Sequence, residues 1–222
     1  RQRQMCIRDR LRTPLTLIVA PLQELIERIK GHWEHEKLSY IQRNTNRLLH
    51  LVNQLMDYRR AELGIFELRP VYANAYKKVL NCFLNYENLS KRKDIDYNLY
   101  TELQDEELLF DETYLDLIVN NLLSNAFKYT EKGECITVRL YKEDNNLVLQ
   151  VIDTGVGIPA EKQKKIFERF YQAESGHEGS GIGLSLVQRL VELHHGHITL
   201  ESKVGEGSTF SIYIPQDKSM YT

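Results

Sequence analysis

The sequence predicts an α+β protein: an N-terminal antiparallel helical hairpin over residues 1–64, a two-layer α/β sandwich over 65–217, and a tail at 218–222. Three observations predict it. Leu11, Leu15, Ile18, Leu22, Leu25 and Ile29 recur at four-three spacing. Leu38, Ile41, Leu48, Val52 and Leu55, with Thr45 in the same seam, repeat the pattern, the mark of two bundle helices. After Gly64 the chain turns to short strand-like runs interrupted by helical ones. Two glycine-rich turns punctuate those runs, Asp153-Thr-Gly-Val-Gly157 and Gly179-Ser-Gly-Ile-Gly183.

The 222 residues suffice for one domain of about 150 residues and a smaller unit. Residues 1–10 are basic and carry no apolar period, so they read as a frayed leader or the first turn of a helix. Pro14 and Pro21 sit inside the first seam, where each removes an amide donor and predicts a kink or a late helix start. Residues 31–37 make a short connection to the second helix. A hairpin of this size has too little core to stand alone. Pairing with a second copy into a four-helix bundle would bury both seams, whereas packing on the chain's own second domain is the other solution.

In the second domain, residues 66–70 read as an edge strand ended by Pro70. Residues 71–89 have helical spacing at Val71, Ala75, Val79, Phe83 and Tyr86, and the cations at 91–93 suit the negative helix end. Strands are predicted at 95–100 and 108–110, with Asp111 as N-cap of the next helix. Strands at 136–140 and 147–152 flank a hairpin turn at 143–146. Strands at 197–201 and 209–214 complete a mixed sheet with helices on one face.

Composition excludes little but bounds the partners. Apolar residues make up 42% and charged residues 27%, an ordinary globular balance. A net charge of -2 implies no general surface for polyanions, and no nucleic-acid partner is expected. Cys6, Cys82 and Cys135 are scattered and read as free thiols of a reducing compartment. No apolar run reaches the ~18–20 residues that span a bilayer. The fragment is therefore expected to be cytoplasmic and to make no membrane contact, with a membrane-anchored parent left open.

The candidate site starts from Asp153. A carboxylate at the end of a buried strand can accept a hydrogen bond from an exocyclic amine, and Gly155 and Gly157 let backbone approach a flat ligand closely. Taken alone, that motif reads equally well as an ordinary strand-to-loop turn. Gly179, Gly181 and Gly183 run into an amphipathic helix whose free amides suit phosphate, although the lysine and Ser/Thr of a P-loop are absent. Asn121 and Asn125 lie four apart on one helical face, and Lys128 three further on.

With Phe167-Glu-Arg-Phe170, these motifs in this order resemble the Bergerat, or GHKL-type, ATP-binding catalytic domain of the sensor histidine kinases of two-component systems. The resemblance implies ATP and Mg2+ as cofactors. Asn125 matches the magnesium-coordinating asparagine, Asn121 a second polar position, and Lys128 and Tyr129 groups near the phosphates or ribose. Asp153 matches the residue that binds the adenine amine, with Gly155 and Gly157 admitting the ring. Gly179, Gly181 and Gly183, followed by Leu184, match the phosphate loop. Residues 160–178 are polar and read as a mobile lid anchored at one end by Phe167 and Phe170, with plain core packing of the two rings as the other reading. The turn at 205–210 matches a closing glycine turn with a structural role. His194, His195 and His197 could suggest a metal, but without an accompanying acid or cysteine they read better as a solvated helix terminus.

Leu11-Arg-Thr-Pro-Leu15 resembles the tail of that family's phosphoacceptor signature, His-Glu-Leu-Arg-Thr-Pro-Leu. Here the histidine position is Asp9 and the glutamate position Arg10. Arg10 cannot act as a base and Asp9 offers no imidazole nitrogen, so the chain as written is not expected to autophosphorylate in the family manner. The match begins abruptly at Leu11, and a leader foreign to the domain is the preferred explanation over a degenerate kinase. His32, His35 and His50 lack the Arg-Thr-Pro setting. Thr13 matches a position associated with dephosphorylating the regulator. The resemblance further implies a homodimer through the hairpin and a response-regulator receiver domain as partner. The expected function is the catalytic core of a two-component sensor histidine kinase: ATP to a histidine, then to a regulator aspartate. The alternative is a dimeric ATP-binding regulatory module without phosphotransfer. Another ATPase of the superfamily, of chaperone or mismatch-repair type, is disfavoured by the helical hairpin.

Overall fold

The computed structural model describes residues 38, 40–42, 45, 68–171 and 181–221. The chain divides into two compact units, Arg1–Ile65 and Phe66–Thr222. In the first unit the described residues are helical, and the Thr45 hydroxyl donates to the Ile41 carbonyl at 2.9 Å, one turn back. Ile41 of the predicted seam is 46% exposed. Asp9, Arg10, Thr13 and the histidines at 32, 35 and 50 lie outside the described residues.

The described residues of the second unit form seven strands: β1 Val71–Asn74, β2 Asp96–Thr101, β3 Glu107–Phe110, β4 Cys135–Glu143, β5 Asn146–Asp153, β6 His197–Lys203 and β7 Gly207–Pro215. Four α-helices accompany them among the described residues: α1 Ala75–Lys93, α2 Glu112–Tyr129, α3 Ala160–Gln163 and α4 Gly183–Leu193. β1 and β3 form a small antiparallel pair. The main sheet has the order β2-β4-β5-β7-β6, parallel only between β2 and β4.

One predicted boundary is wrong. Residues 68–70 form no strand; the strand is Val71–Asn74, so the helix expected from residue 71 starts at Ala75. The cause is local. Asn74 is extended, and its side-chain oxygen accepts from the Lys77 amide at 2.8 Å, a cap that fixes the start. Val71 and Tyr72, whose spacing also fitted a helix, pair instead with Phe110 and Leu109. At the far end the helix runs on through Lys93, with Lys91, Arg92 and Lys93 in the last turn and Asp94 left-handed at φ +55°.

The other elements follow their local chemistry. Asp111 caps α2, its Oδ1 accepting from the amides of Thr113 (3.0 Å) and Tyr114 (3.1 Å). Asp144 and Asn145 both have positive φ, as a two-residue hairpin turn between β4 and β5 requires. The register aligns Ile136, Val138 and Leu140 with Val151 and Leu149, then with Phe210 and Ile212, on one face of the sheet. These side chains are buried together with Val79 of α1, Leu115, Ile118 and Leu122 of α2, and Leu186 and Leu190 of α4. Each full burial of this kind stabilises by roughly 1.5–3 kcal/mol, which makes this layer the core. α2 packs between α1 and α4, so the asparagine helix and the glycine-loop helix are neighbours.

Candidate functional site

Asp153 ends β5, between Ile136 of β4 and Ser208 of β7. It is 7% exposed. Burial pushes its carboxyl up to about 6, while amide hydrogen bonds from Gly155 and Ser208 pull it part of the way back. The Gly155 amide reaches Oδ1 at 3.1 Å. Among the described residues no cation pairs with it. This carboxylate is held ionised at neutral pH by two amides alone, with acceptor capacity left over.

The backbone after Asp153 leaves no room for side chains. A Cβ on Gly155 would lie 2.1 Å from the Tyr129 carbonyl oxygen and 3.2 Å from Asp153 Oδ1. The Val156 amide donates to that same Tyr129 oxygen at 3.3 Å. The loop thus presses against the last turn of α2. Gly157 has φ +68° and abuts the Lys203 carbonyl, and the Ile158 amide donates to Ser202 Oγ at 2.8 Å. Gly207, in the closing glycine turn expected to be structural, has φ +104° and would drive a Cβ to 1.9 Å from the Asp153 carbonyl oxygen. The closing turn therefore fixes the backbone of the aspartate itself.

On α2, Asn121 and Asn125 are half-buried. Asn121 donates to the Leu117 carbonyl at 2.7 Å, one turn back. No hydrogen bond joins the Asn125 side chain to another described residue. The Lys128 ammonium stands 4.7 Å from the centre of the Tyr129 ring. Thr130, at the helix end, is 1% exposed, and its hydroxyl has no partner. These groups sit on the last turns of α2, whose end meets the Asp153–Gly155 turn.

α4 begins at Gly183 with no side-chain cap and no acidic residue in its first turn, leaving its first amides unpaired by side chains. Gly181 has φ +67°, and its carbonyl accepts from the Phe170 amide at 2.8 Å. Leu184 is half-buried in the first turn. Gly179 lies outside the described residues, as do 172–178 of the expected lid.

The two phenylalanines expected to anchor that segment behave differently. Phe167 packs edge-on against Phe210, ring centres 6.5 Å apart. Phe170 is 65% exposed at φ +60°, so its side chain anchors nothing; its backbone holds Gly181. Ile166, which the aromatic motif overshadowed, is the buried anchor at 8% exposure. The histidine cluster also differs from a solvated helix end. His194 is fully buried, with Nε2 accepting from the Asp111 amide at 3.1 Å and Nδ1 lying 2.8 Å from the Leu190 carbonyl. His197 stacks on Tyr213 at 4.4 Å and His195 faces Tyr221, so the three rings have three different partners. Among the described residues no group of His, Cys, Asp and Glu is placed to hold a metal ion. Cys82 and Cys135 are free thiols. No described helix is long and apolar enough to cross a membrane.

A mixed sheet carrying a buried carboxylate, glycine turns and an uncapped helix beside an asparagine-bearing helix makes an α/β sandwich whose features would suit a nucleotide. Comparison with known proteins gives the family. Residues 110–218 match the family described as histidine kinase-, DNA gyrase B- and HSP90-like ATPase, and residues 7–64 match the His kinase A (phospho-acceptor) domain. The second match begins upstream of Leu11 and takes in Asp9 and Arg10, which corrects the expectation that the likeness starts abruptly at Leu11. Histidine kinase P4 of Formosa agariphila is 34% identical over 217 residues, 94% of this chain and 16% of its own length. The fold matches full-length ShkA in complex with AMPPNP at a TM-score of 0.81, 24% identical, over 96% of this chain and 45% of that one. It also matches histidine kinase ThkA in complex with response regulator TrrA at 0.68, 21% identical, over 97% of this chain and 61% of that one. The chain belongs to the sensor histidine kinases of two-component systems and carries their catalytic core: a phospho-acceptor domain followed by a GHKL-type ATPase domain. It spans about a sixth of the Formosa relative's length.

Proposed function

We propose that this chain binds ATP with magnesium at the Asp153 site and serves as the phosphotransfer core of a two-component sensor, residues 1–64 supplying the dimerisation and acceptor hairpin and 65–217 the ATP domain. The observation that carries the reading is the buried Asp153 carboxylate, ionised at neutral pH with no cation beside it among the described residues and held in a turn whose glycines pack against the backbone of Tyr129 and Lys203. Its spare oxygen suits the exocyclic amine of adenine and disfavours guanine, which presents a carbonyl there. The uncapped start of α4 and the Gly181 turn suit the phosphates. Asn125, without a described partner, supplies an amide oxygen for Mg2+, with Asn121, Lys128 and Tyr129 around the phosphates or ribose. When bound, the metal neutralises triphosphate charge; the chain's own residues orient the nucleotide and exclude water.

The hairpin reading rests on the phospho-acceptor family match and on the exposure of seam residue Ile41 in the single chain, which suits a homodimer. A receiver domain of a response regulator is the proposed partner, as ThkA is seen with TrrA. Thr13 stands at the position associated with dephosphorylating it, but the companion acid of that role is replaced by Arg10. Asp9 and Arg10 stand where the acceptor histidine and its acid belong, so the ATP half is proposed to be competent and the acceptor position not.

The test incubates this chain and the Asp9→His/Arg10→Glu double variant with γ-labelled ATP and magnesium. Acid-labile, base-stable label on the double variant alone is the expected result. Label on neither, with ATP bound by both, would favour a regulatory module without phosphotransfer. Label on the unaltered chain would overturn the account of residue 9.

A further inference from the structure

His194 is a buried titratable group that the nucleotide chemistry does not use, yet it joins the two helices that carry the nucleotide groups. An amide can only donate, so the bond from the Asp111 N–H (3.1 Å) requires a lone pair on Nε2. The ring proton is then on Nδ1, which donates to the Leu190 carbonyl at 2.8 Å. His194 is thereby fixed as one neutral tautomer. Its backbone carbonyl accepts from the Tyr221 hydroxyl at 2.9 Å, and the ring of Tyr114 stands edge-on at 6.0 Å.

Asp111 is the other half of the joint. Its Oδ1 caps α2 and its Oδ2 accepts from the Arg69 amide at 2.9 Å, in the segment entering the domain. The joint therefore ties the C-terminus of α4 to the N-terminus of α2. At 1.5 Å per residue, the groups proposed to touch nucleotide lie about 16 Å along α4, at Gly183, and about 20 Å along α2, at Asn125. Two adjacent helices pinned at one pole hold their opposite ends, the two sides of the triphosphate site, at a set spacing.

We propose that His194 is a positioning residue for nucleotide binding: the hydrogen bond from the Asp111 amide to its Nε2 sets α4 against α2 and so pre-arranges the phosphate loop against the asparagine face. A proton on Nε2 would set donor against donor and release the joint. The groups facing the ring are Asp111, with its carboxylate, and Tyr114 from α2, Tyr221 from the tail, and His195 beside it. Burial holds the imidazole below its ordinary value, which keeps the neutral form dominant at pH 7.

The inference rests on the proposed nucleotide site, and its test separates the two. His194→Gln keeps an acceptor where Nε2 stands, His194→Asn keeps only the place of Nδ1, and His194→Phe fills the volume with neither. Affinity for the non-hydrolysable analogue AMPPNP is measured with magnesium at a temperature where circular dichroism shows every variant folded. The Phe and Asn variants are expected to bind about tenfold more weakly, within the usual range for coupling between sites, with Gln close to the unaltered chain. Folded Phe and Asn variants that bind as tightly as the unaltered chain would overturn the positioning role. No binding by the unaltered chain would overturn the nucleotide site instead.

Discussion

Replacing Asp153 by asparagine tests the origin of the site's electrostatics. Burial raises the carboxyl from 3.8 to about 6, and at about 1.4 kcal/mol per pH unit that is about 3 kcal/mol favouring the protonated folded state. Because the folded value is the higher one, the stabilising contribution is fully present below pH 3.8. It is lost as pH rises through 6, leaving the nucleotide-free domain carrying an unrelieved charge at pH 8. About 1.4 kcal/mol of the difference falls between pH 5 and pH 8 by the same relation. Asparagine removes that slope. Its oxygen can still accept from the Gly155 amide, but its NH2 then faces the Ser208 amide, a mismatch costing about 1–2 kcal/mol at every pH. On these figures Asp153→Asn is about 1–2 kcal/mol more stable than the unaltered chain at pH 8 and close to it at pH 5. The assay is thermal melting without nucleotide at both pH values. Relative to the variant, the unaltered chain should gain about 3–6 °C on going from pH 8 to pH 5. ATP affinity at pH 8 should fall tenfold to a hundredfold with loss of a charge-assisted hydrogen bond of about 1.5–3 kcal/mol. Parallel pH slopes for the two proteins would refute the claim that Asp153 is a buried, unpaired carboxylate.

Two further substitutions probe the walls of the site. Gly155→Ala places a methyl 2.1 Å from a backbone oxygen that cannot rotate away, so the α2 terminus or the loop must move at a cost of about 1–3 kcal/mol. The urea midpoint and ATP affinity should fall together, whereas Gly133→Ala, which strains φ but meets nothing within 4 Å, should leave ATP affinity unchanged. Asn125→Ala removes a side chain with no described partner, so stability should stay within about 0.5 kcal/mol while the magnesium requirement for ATP binding rises steeply. A large loss of stability would instead make Asn125 a structural residue.

What the sequence disclosed depended on how local the governing interaction is. Asp111 as a cap and the turn at Asp144 and Asn145 were legible because each rests on contacts within a few residues. The register of residues 71–74 was not. Val71 and Ala75 fit helical spacing by accident, and only pairing with β3 makes the strand. Tertiary partners likewise decide His194, which reads as an exposed helix end until Asp111, far away in sequence, is brought to its ring. In the expected lid the aromatic residues drew attention, but register around the turn buries Ile166 and leaves Phe170 outside. Asp153, Gly155 and Gly157 were legible as a motif. The reason for the glycines, the carbonyls of Tyr129 and Lys203, was not, since those contacts come from elements distant in the chain.

The site collects choices that a fold optimised only for stability would avoid. α1 and α2 are capped by Asn74 and Asp111, but α4 starts with no cap. Asp153 is a buried carboxylate raised by that burial with no cation beside it among the described residues, and of the two buried side-chain atoms without a hydrogen-bond partner there, one is Thr130 Oγ1 at the end of α2 beside the Asp153 turn. The other, Tyr97 Oη, lies in the aromatic cluster with Phe83 and Phe127 and has no such neighbour. Groups of opposite demand, spare acceptor capacity at Asp153 and the side-chain-uncapped start of α4, would stand on the two sides of the proposed nucleotide. One ligand carrying an amine at one end and phosphates at the other would satisfy both. Added nucleotide should therefore raise the melting temperature more in the unaltered chain than in Asp153→Asn, because only the former has the buried charge for it to relieve.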